Sequence, residues 1–328
     1  MLLLSASDVR ALVTMPQAVD ASKEALRLHS RGRCDVPLRT ALDVPTHDGR
    51  TLVMPAHVPD LDTVGIKIVS VFPRNAELAI ASVPATIVLL DGTTGVVCAV
   101  MDGTYLTALR TGAVQGAGTD ALARADARVG ALIGTGGQAA QQLEAMLCVR
   151  AFDEVRVFSR NPERLAAFVA SMRERLAGRY ETRVVAASSS DAAVDGADVV
   201  TCVTTSALPV FDGRLAAAGA HVNGVGAFTP AMQELDSGLL ARADVVVIDT
   251  AAALAEAGDL IAPIEAGLLD AGAILELGDV LTGAVAGRAN ADQLTVFKSV
   301  GSAVLDVVAA HKVYIAALTQ TRGQEVDL

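Results

Sequence analysis

Residues 129–139 read Val-Gly-Ala-Leu-Ile followed by Gly134-Thr135-Gly136-Gly137-Gln138-Ala139. The apolar run has the composition of a buried strand, and the glycine-rich turn leads straight into a segment with helical patterning. A GxGxxA pattern alone is weak evidence; set between strand and helix, it marks a dinucleotide-binding βα unit. Gly134 suits a tight turn, Gly136 lets a pyrophosphate approach the backbone, and Ala139 is small enough for the helix to pack on its strand. Free N–H groups and a partial positive charge at the helix start favour the phosphates. The competing reading is a glycine-rich turn that holds no ligand.

The same grammar extends downstream. Apolar runs at Val129–Ile133, Val155–Phe158, Arg183–Ala186, Asp198–Val203, Ala220–Val225 and Val245–Ile248 alternate with helix-forming stretches such as Gln138–Arg150 and Pro162–Leu176. That alternation predicts a doubly wound parallel sheet. The pattern ends near Thr295, and a last amphipathic helix, about Ser302–Thr319, is expected to cross back onto the first domain.

Upstream, a helix is predicted from Met15 to Arg31, with Ala18, Ala21, Ala25 and Leu28 near helical spacing. Short β-rich runs follow: TLVMPA, VGIKIVSVF, PATIVLLD and GVVCAVMD, with turns at Asp48-Gly49 and at 91–95. They predict a mainly antiparallel sheet with a helix in front of it, then a helix near Tyr105–Arg124. The fold class is therefore α/β: a Rossmann doubly wound parallel sheet domain over 119–298, plus a discontinuous α+β domain of 1–118 and the C-terminal helix, 299–328. There is no internal repeat.

Composition narrows the function. With 328 residues the chain has room for two cores. Aromatics are only 3% and Trp is absent, so Ala, Val and Leu must fill those cores. A formal charge of −11 argues against nucleic acid and against an anionic membrane surface. No apolar run reaches the roughly 18 residues that span a bilayer. The opening MLLLSASDVRALV has no basic region and meets Asp8 early, which argues against a signal peptide. Cys34, Cys98, Cys148 and Cys202 are far apart and the five histidines lack ligand spacing, so neither a disulfide framework nor a metal is expected. The expectation is a cytoplasmic enzyme with reduced thiols.

Three further features bear on chemistry. At the end of the second parallel strand, where NAD-selecting sites carry an acid, the chain has Ser159-Arg160-Asn161. An Arg beside a hydroxyl suits a 2′-phosphate, so NADP(H) is preferred and NAD(H) remains an alternative. Arg160 as an ordinary solvated residue is the other reading. Of the 26 Lys and Arg residues only four are lysines, and one of them, Lys67, interrupts VGIKIVSVF. If half-buried, its pKa falls towards neutrality and it can exchange protons; on the wet face of an edge strand it does nothing of the kind. Arg39 in VPLRT and Arg110 in TALRTGA suit two-point grip of a carboxylate, or simply salt bridges.

These pieces, in order, resemble the ornithine cyclodeaminase/mu-crystallin family over essentially the whole chain: PLRT, TLVMPA, GIKIVSVFP, ATIVLLDGTTG, LTALRTGA, GTGGQA, VGAFTPAMQELD and FKSVGSA. The resemblance implies a homodimer whose discontinuous domain serves dimerisation and substrate binding, beside a Rossmann domain. It implies that Arg39, Lys67 and Arg110 line the substrate pocket with Met54 and Ser82 nearby, the arginines holding an α-carboxylate and Lys67 binding or protonating the substrate. It also implies cofactor neighbours at Thr111 and Ala113, Thr204 to Ser206, and Val300 to Ser302. Mu-crystallin-like members with an Arg near Arg160 use NADPH.

One position departs from the family. Cyclodeaminases and an alanine dehydrogenase branch carry an acidic residue where this chain has Phe228, in Gly226-Ala227-Phe228-Thr229-Pro230. Cyclodeamination needs a base there, and Phe cannot accept a proton, although it can wall the pocket against a flat ring. Glu234 and Asp236 lie nearby in sequence but resemble the family's helix-start ELD. The expected activity is therefore NAD(P)H-dependent reduction of a cyclic ketimine acid, such as Δ1-pyrroline-2-carboxylate or its six-membered homologue, to the cyclic amino acid. Alternatives are ornithine cyclodeamination with recycled NAD, reductive amination of a keto acid, and a cofactor-dependent binding protein without turnover. The expected partner is a small amino or imino acid.

Overall fold

Strand Thr63–Val71 shows how the β-rich half folds. Thr63, Gly65, Lys67 and Val69 turn to one side and are buried, whereas Val64, Ile66, Ile68 and Ser70 turn to the other and stay partly open. The computed structural model describes residues 1–78 and 80–327 and divides into two compact units, Met1–Arg110 with Ser302–Leu328, and Thr111–Gly301. The sequence reading put the divisions at 118/119 and 298/299. The first lies inside a continuous helix, where no change of composition can mark it.

In the first unit, β1 (Leu2–Leu4), β2 (Thr40–Val44), β3 (Gly49–Val58), β4 (Thr63–Val71), β5 (Ala85–Asp91) and β6 (Val97–Asp102) form one sheet in the order β1-β6-β5-β4-β3-β2, extended beyond β1 by the short strand Gln324–Glu325. The ladders from β2 to β6 are antiparallel, while β1 runs parallel to β6. Helix α1 (Ala6–Leu12) is followed by α2 (Met15–Ser30), started by a Thr14–Gln17 capping box with Pro16 in its first turn. Ala18, Ala21 and Ala25 are buried as expected; Leu28 is only partly so, and Leu26 takes its place in the core. Helix α3 (Gly103–Leu122) leaves this unit after Arg110.

The final helix, Ala303–Gln320, returns to pack on β3, β4, β5 and α2. By length and composition it could cross a membrane, but Asp306, His311 and Lys312 interrupt it and ten of its residues are buried. Gly65 permits its approach: a Cβ there would fall 2.5 Å from Val307 Cγ2.

In the second unit, β7 (Val129–Ile133), β8 (Glu154–Phe158), β9 (Arg183–Ala186), β10 (Val199–Cys202), β11 (His221–Gly224), β12 (Val245–Ile248), β13 (Leu275–Glu276) and β14 (Thr295–Lys298) form an all-parallel sheet. The order is β9-β8-β7-β10-β11-β14-β12-β13, so chain direction across the sheet reverses between β7 and β10. Helices α4 (Ala139–Val149) and α5 (Pro162–Leu176) pack on one face with Leu132, Val155 and Val157. Ala131, Ile133, Val200 and Val222 line the core on the other face. The sequence reading ended the sheet near Thr295. Instead Thr295–Lys298 is a fully buried strand inserted between β11 and β12. Its polar ends, Thr295 and Lys298, hid it from a hydrophobic scan.

Gly65→Ala is expected to destabilise the protein by about 1–3 kcal/mol through overpacking against Val307. Urea unfolding reads this as a lower midpoint at unchanged slope; a wild-type midpoint would show that the helix yields freely.

Candidate active site

Lys67 lies at the centre of β4, directly opposite Met54 on β3 and Ile87 on β5, and its side chain is 1% exposed. The reading of Lys67 as a wet-face lysine is thus set aside: it points into the core. Its Nζ stands 2.6 Å from Asp306 Oδ2 on the final helix. Arg110, near the end of the unit's share of α3, donates Nε–H to the other oxygen, Asp306 Oδ1, at 2.7 Å. One fully buried carboxylate therefore bridges two buried cations. Asp306 escaped the sequence reading because it sits in an otherwise apolar stretch, AVLDVVAA; a lone acid on the buried stripe of a helix was the available signal.

The electrostatics follow from burial. Desolvation lowers the Lys67 pKa to about 7, and the Arg110 and Arg39 charges push the same way while Asp306 opposes them. Burial pushes the Asp306 carboxyl up, but Arg110 and Lys67 outweigh it and hold the carboxyl below its ordinary value. With Lys67 protonated, the three groups carry one excess positive charge. Arg39, immediately before β2 and partly buried, adds its field. Among the described residues Arg110 meets Asp306 through Nε, and the two Nη groups of a guanidinium have the planar geometry that suits a carboxylate. One helical turn earlier Thr107 Oγ1 is buried with no hydrogen-bond partner among the described residues, a polar atom of the kind a small ligand satisfies. Met54 lies beside Lys67. Ser82 does not: its carbonyl accepts the Phe72 N–H, at the far end of the β4–β5 ladder.

The second unit presents a different set of groups at the carboxyl ends of its strands. Gly134 adopts φ +112°, and a Cβ there would fall 2.8 Å from the Val203 carbonyl, so only glycine turns here without strain. Gly136 and Gly137 are exposed and face open space, where a phosphate can reach the backbone. Thr135 and Gln138 complete the turn, while Ala139 is fully buried in the α4 contact. This cradle fits a dinucleotide pyrophosphate. Ser159 and the exposed Arg160 leave the end of β8 beside it, since the Gly134 N–H donates to the Phe158 carbonyl. Asn161 Oδ1 is committed to capping α5 through the Arg164 N–H. Thr111 and Ala113 flank Gly112, where a Cβ would fall 2.5 Å from the Gln141 carbonyl oxygen of α4.

The remaining expected residues lie on turns fixed by buried acids. The Thr204 N–H donates to Glu234, and the Ser206 N–H to Thr204 Oγ1. The Val300 and Gly301 N–H groups donate to Asp249 Oδ2. Ser302 opens the final helix in the first unit. Phe228, on the turn after β11, packs partly buried against the second unit's core. Neither neighbouring acid is free to replace the missing base: Glu234 is fully buried and accepts three N–H groups, and Asp236 caps Leu239 and accepts the Gly213 N–H. Among the described residues no metal-ligand cluster forms.

A family model described as ornithine cyclodeaminase/mu-crystallin matches residues 1–321. The Δ1-pyrroline-2-carboxylate reductase of Bacillus cereus is 37% identical over 329 residues, covering 100% of both chains. The structure of Thermococcus litoralis Δ1-pyrroline-2-carboxylate reductase in complex with NADH and L-proline superimposes with a TM-score of 0.94 at 36% identity, over 99% of this chain and 100% of that one. An archaeal alanine dehydrogenase dimer with bound NAD gives 0.91 at 32% identity, over 100% and 99%.

Asp306→Asn removes the only anion of the buried cluster. The expected loss is about 3–5 kcal/mol of stability in urea unfolding, because Arg110 is left a buried cation without its counter-charge and Lys67 must give up its proton. A loss well under 1 kcal/mol would mean that water already screens the cluster.

Proposed function

The chain belongs to the ornithine cyclodeaminase/mu-crystallin family, and on that footing we propose that it reduces a cyclic ketimine acid, of which Δ1-pyrroline-2-carboxylate is the simplest, to the cyclic amino acid with NAD(P)H. The observation that carries this reading is the buried Lys67–Asp306–Arg110 cluster, which has one positive charge more than it can neutralise itself. An imino acid brings the missing carboxylate and a nitrogen that needs one proton. Arg110, through its Nη fork, and Arg39 hold the carboxylate. Lys67 Nζ gives its proton to the ring nitrogen and is left neutral, a state its desolvated setting tolerates. Asp306 keeps the ammonium aimed and prevents Arg110 from expelling its proton. When bound, the reduced dinucleotide supplies the hydride that completes conversion of C=N to CH–NH.

For the dinucleotide we favour NADP(H). The two solved relatives hold NADH and NAD, and the preference rests on Arg160, exposed beside Ser159 at the end of β8 with no acid in the tripeptide. Phe228 directs the chain away from cyclodeamination, since ornithine chemistry needs a base that neither Phe228 nor its committed neighbours provide. A cytoplasmic setting suits a chain with four free cysteines.

The outer face of the first unit's sheet supports a homodimer. Leu42, Val53, Pro55, Ile66, Ile68 and Val88 share that face, with Leu42 57% and Ile68 44% exposed. Such a contiguous apolar face marks an association surface. Sedimentation is expected to give a dimer that Ile68→Asp dissociates; a monomeric wild type would count against it.

The activity is tested by giving the purified protein pyrroline-2-carboxylate with NADPH or NADH and, separately, ornithine with NAD⁺. Coenzyme oxidation on the imine, faster with NADPH, and no ammonia from ornithine are expected. Ammonia and proline from ornithine would instead establish the cyclodeaminase. The pH dependence follows from the lowered pKa of Lys67. Below about 7 the amine carries the proton it must donate, so kcat/KM for reduction is high there and falls about tenfold per unit above it. Oxidation of the amino acid needs neutral Lys67 and rises through the same range. A reduction profile flat from about pH 6 to 9 would remove Lys67 as the donor.

A further inference from the structure

A second fully buried acid does a different job. Glu234 lies between β11 and the helix Ser237–Arg242. Its Oε1 accepts the Thr204 N–H at 2.5 Å, and its Oε2 accepts the N–H groups of Gly226 at 2.6 Å and Ala227 at 2.9 Å. These donors belong to the turns that leave the carboxyl ends of β10 and β11. Glu234 is itself fixed: its own N–H and that of Leu235 donate to Asp259 Oδ1 at 2.6 and 2.9 Å, and Asp259 Oδ2 stands 2.7 Å from the equally buried Lys298 Nζ. Lys298 closes β14, the strand inserted beside β11.

The turns are pressed together. A Cβ on Gly226 would fall 2.0 Å from the Thr204 carbonyl oxygen, and one on Gly134 would fall 2.8 Å from that of Val203. The glycine-rich turn, the Val203–Thr204 turn and the Gly226–Ala227 turn therefore form one stack, and Glu234 holds two of its three layers. In a parallel sheet that reverses order at β7/β10, ligands bind outside these carboxyl ends.

We propose that Glu234 is a positioning residue for dinucleotide binding: without touching the coenzyme, its carboxylate sets the spacing of the turns that receive it. The inference rests on the reading of the second unit as the NAD(P)H-holding one. A carboxylate is required because all three partners are donors. Glutamine offers one acceptor oxygen and an NH₂ group, so whichever way it turns it faces at least one N–H with another donor.

The test compares Glu234→Gln with Met172→Ala, a core truncation on α5 away from these turns, by fluorescence titration of the full-length protein with NADPH and by thermal unfolding. Glu234→Gln is expected to weaken NADPH binding about tenfold or more, while Met172→Ala lowers the melting temperature and leaves Kd within about twofold. If Glu234→Gln binds NADPH like wild type, or if both variants lose affinity in proportion to lost stability, the positioning role is overturned. Wild-type protein that binds neither NADPH nor NADH would overturn the reading of the second unit itself. Should the glutamine variant not fold, Glu234→Asp keeps the charge, shortens the reach by one methylene and is expected to bind more weakly; wild-type affinity in that variant refutes the proposal.

Discussion

The first unit is organised around one carboxylate between two buried cations. Lys67 and Arg110 cannot both remain charged in a low-dielectric interior unless an anion separates them, and Asp306 is that anion. It sits on the chain's last helix, so that helix must return to the sheet. This is why the unit is discontinuous in sequence. Docking leaves little freedom of register: Gly65 and Lys67 share the inner side of β4, while Asp306 and Val307 are consecutive on the helix. The close approach at Gly65–Val307 and the ion pair at Lys67–Asp306 are therefore made in a single act of packing. A helix displaced along the sheet by one turn would lose both.

The same arrangement links binding to proton supply. Lys67 is drawn toward neutrality by desolvation and by two guanidinium groups, and toward protonation by Asp306 alone. A substrate carboxylate on the Arg110 fork brings a second negative charge into this field. It offsets the guanidinium contribution and shifts Lys67 back toward its protonated form. In the proposed reaction the substrate thus helps to charge the acid that serves it, whereas the product, which keeps its carboxylate, holds Lys67 protonated in the same way and so opposes the reverse direction, which needs the neutral amine. A lysine paired one-to-one with an acid would stay protonated too firmly to release its proton near neutral pH.

The sequence carried the parts of this fold whose signals are local. Pro162–Leu176 is bounded in the structure as its pattern predicts, with Asn161 capping and Pro162 at the first position. The GTGGQA turn is equally legible, since only glycine tolerates the φ of Gly134 against the Val203 carbonyl. What local pattern could not supply was the partner of each buried charge. Lys67 and Arg110 were visible as odd residues, but 196 positions separate Arg110 from Asp306, and nothing in AVLDVVAA says which charge its acid meets. The β14 strand was missed for a related reason: Lys298 breaks its apolar run, and only pairing with Asp259 makes a lysine acceptable in a central strand. Glu234 looked like part of a helix start. Its neighbour Asp236 is the cap, whereas Glu234 gathers three backbone donors from two distant turns.

That distinction also bears on Phe228. A missing acid in a family with full-length similarity is weak grounds for a different reaction when another carboxylate can swing into its place. Here the two candidates nearest in sequence are already used. Glu234 has both oxygens occupied and is sealed from solvent, and each Asp236 oxygen accepts a backbone N–H. To free either would break charge-assisted hydrogen bonds, typically about 1.5–3 kcal/mol each: those of Glu234 shape the turn that leads to Phe228, and those of Asp236 cap a helix and hold Gly213. Cyclodeamination asks its site to handle a second amine as well as the first nitrogen. Imine reduction asks only for a carboxylate grip, one proton and a hydride source. On the proposed reading the cationic cluster supplies the first two without any acid at position 228, so Phe228 in place of an acid removes a requirement of one chemistry and leaves the other intact.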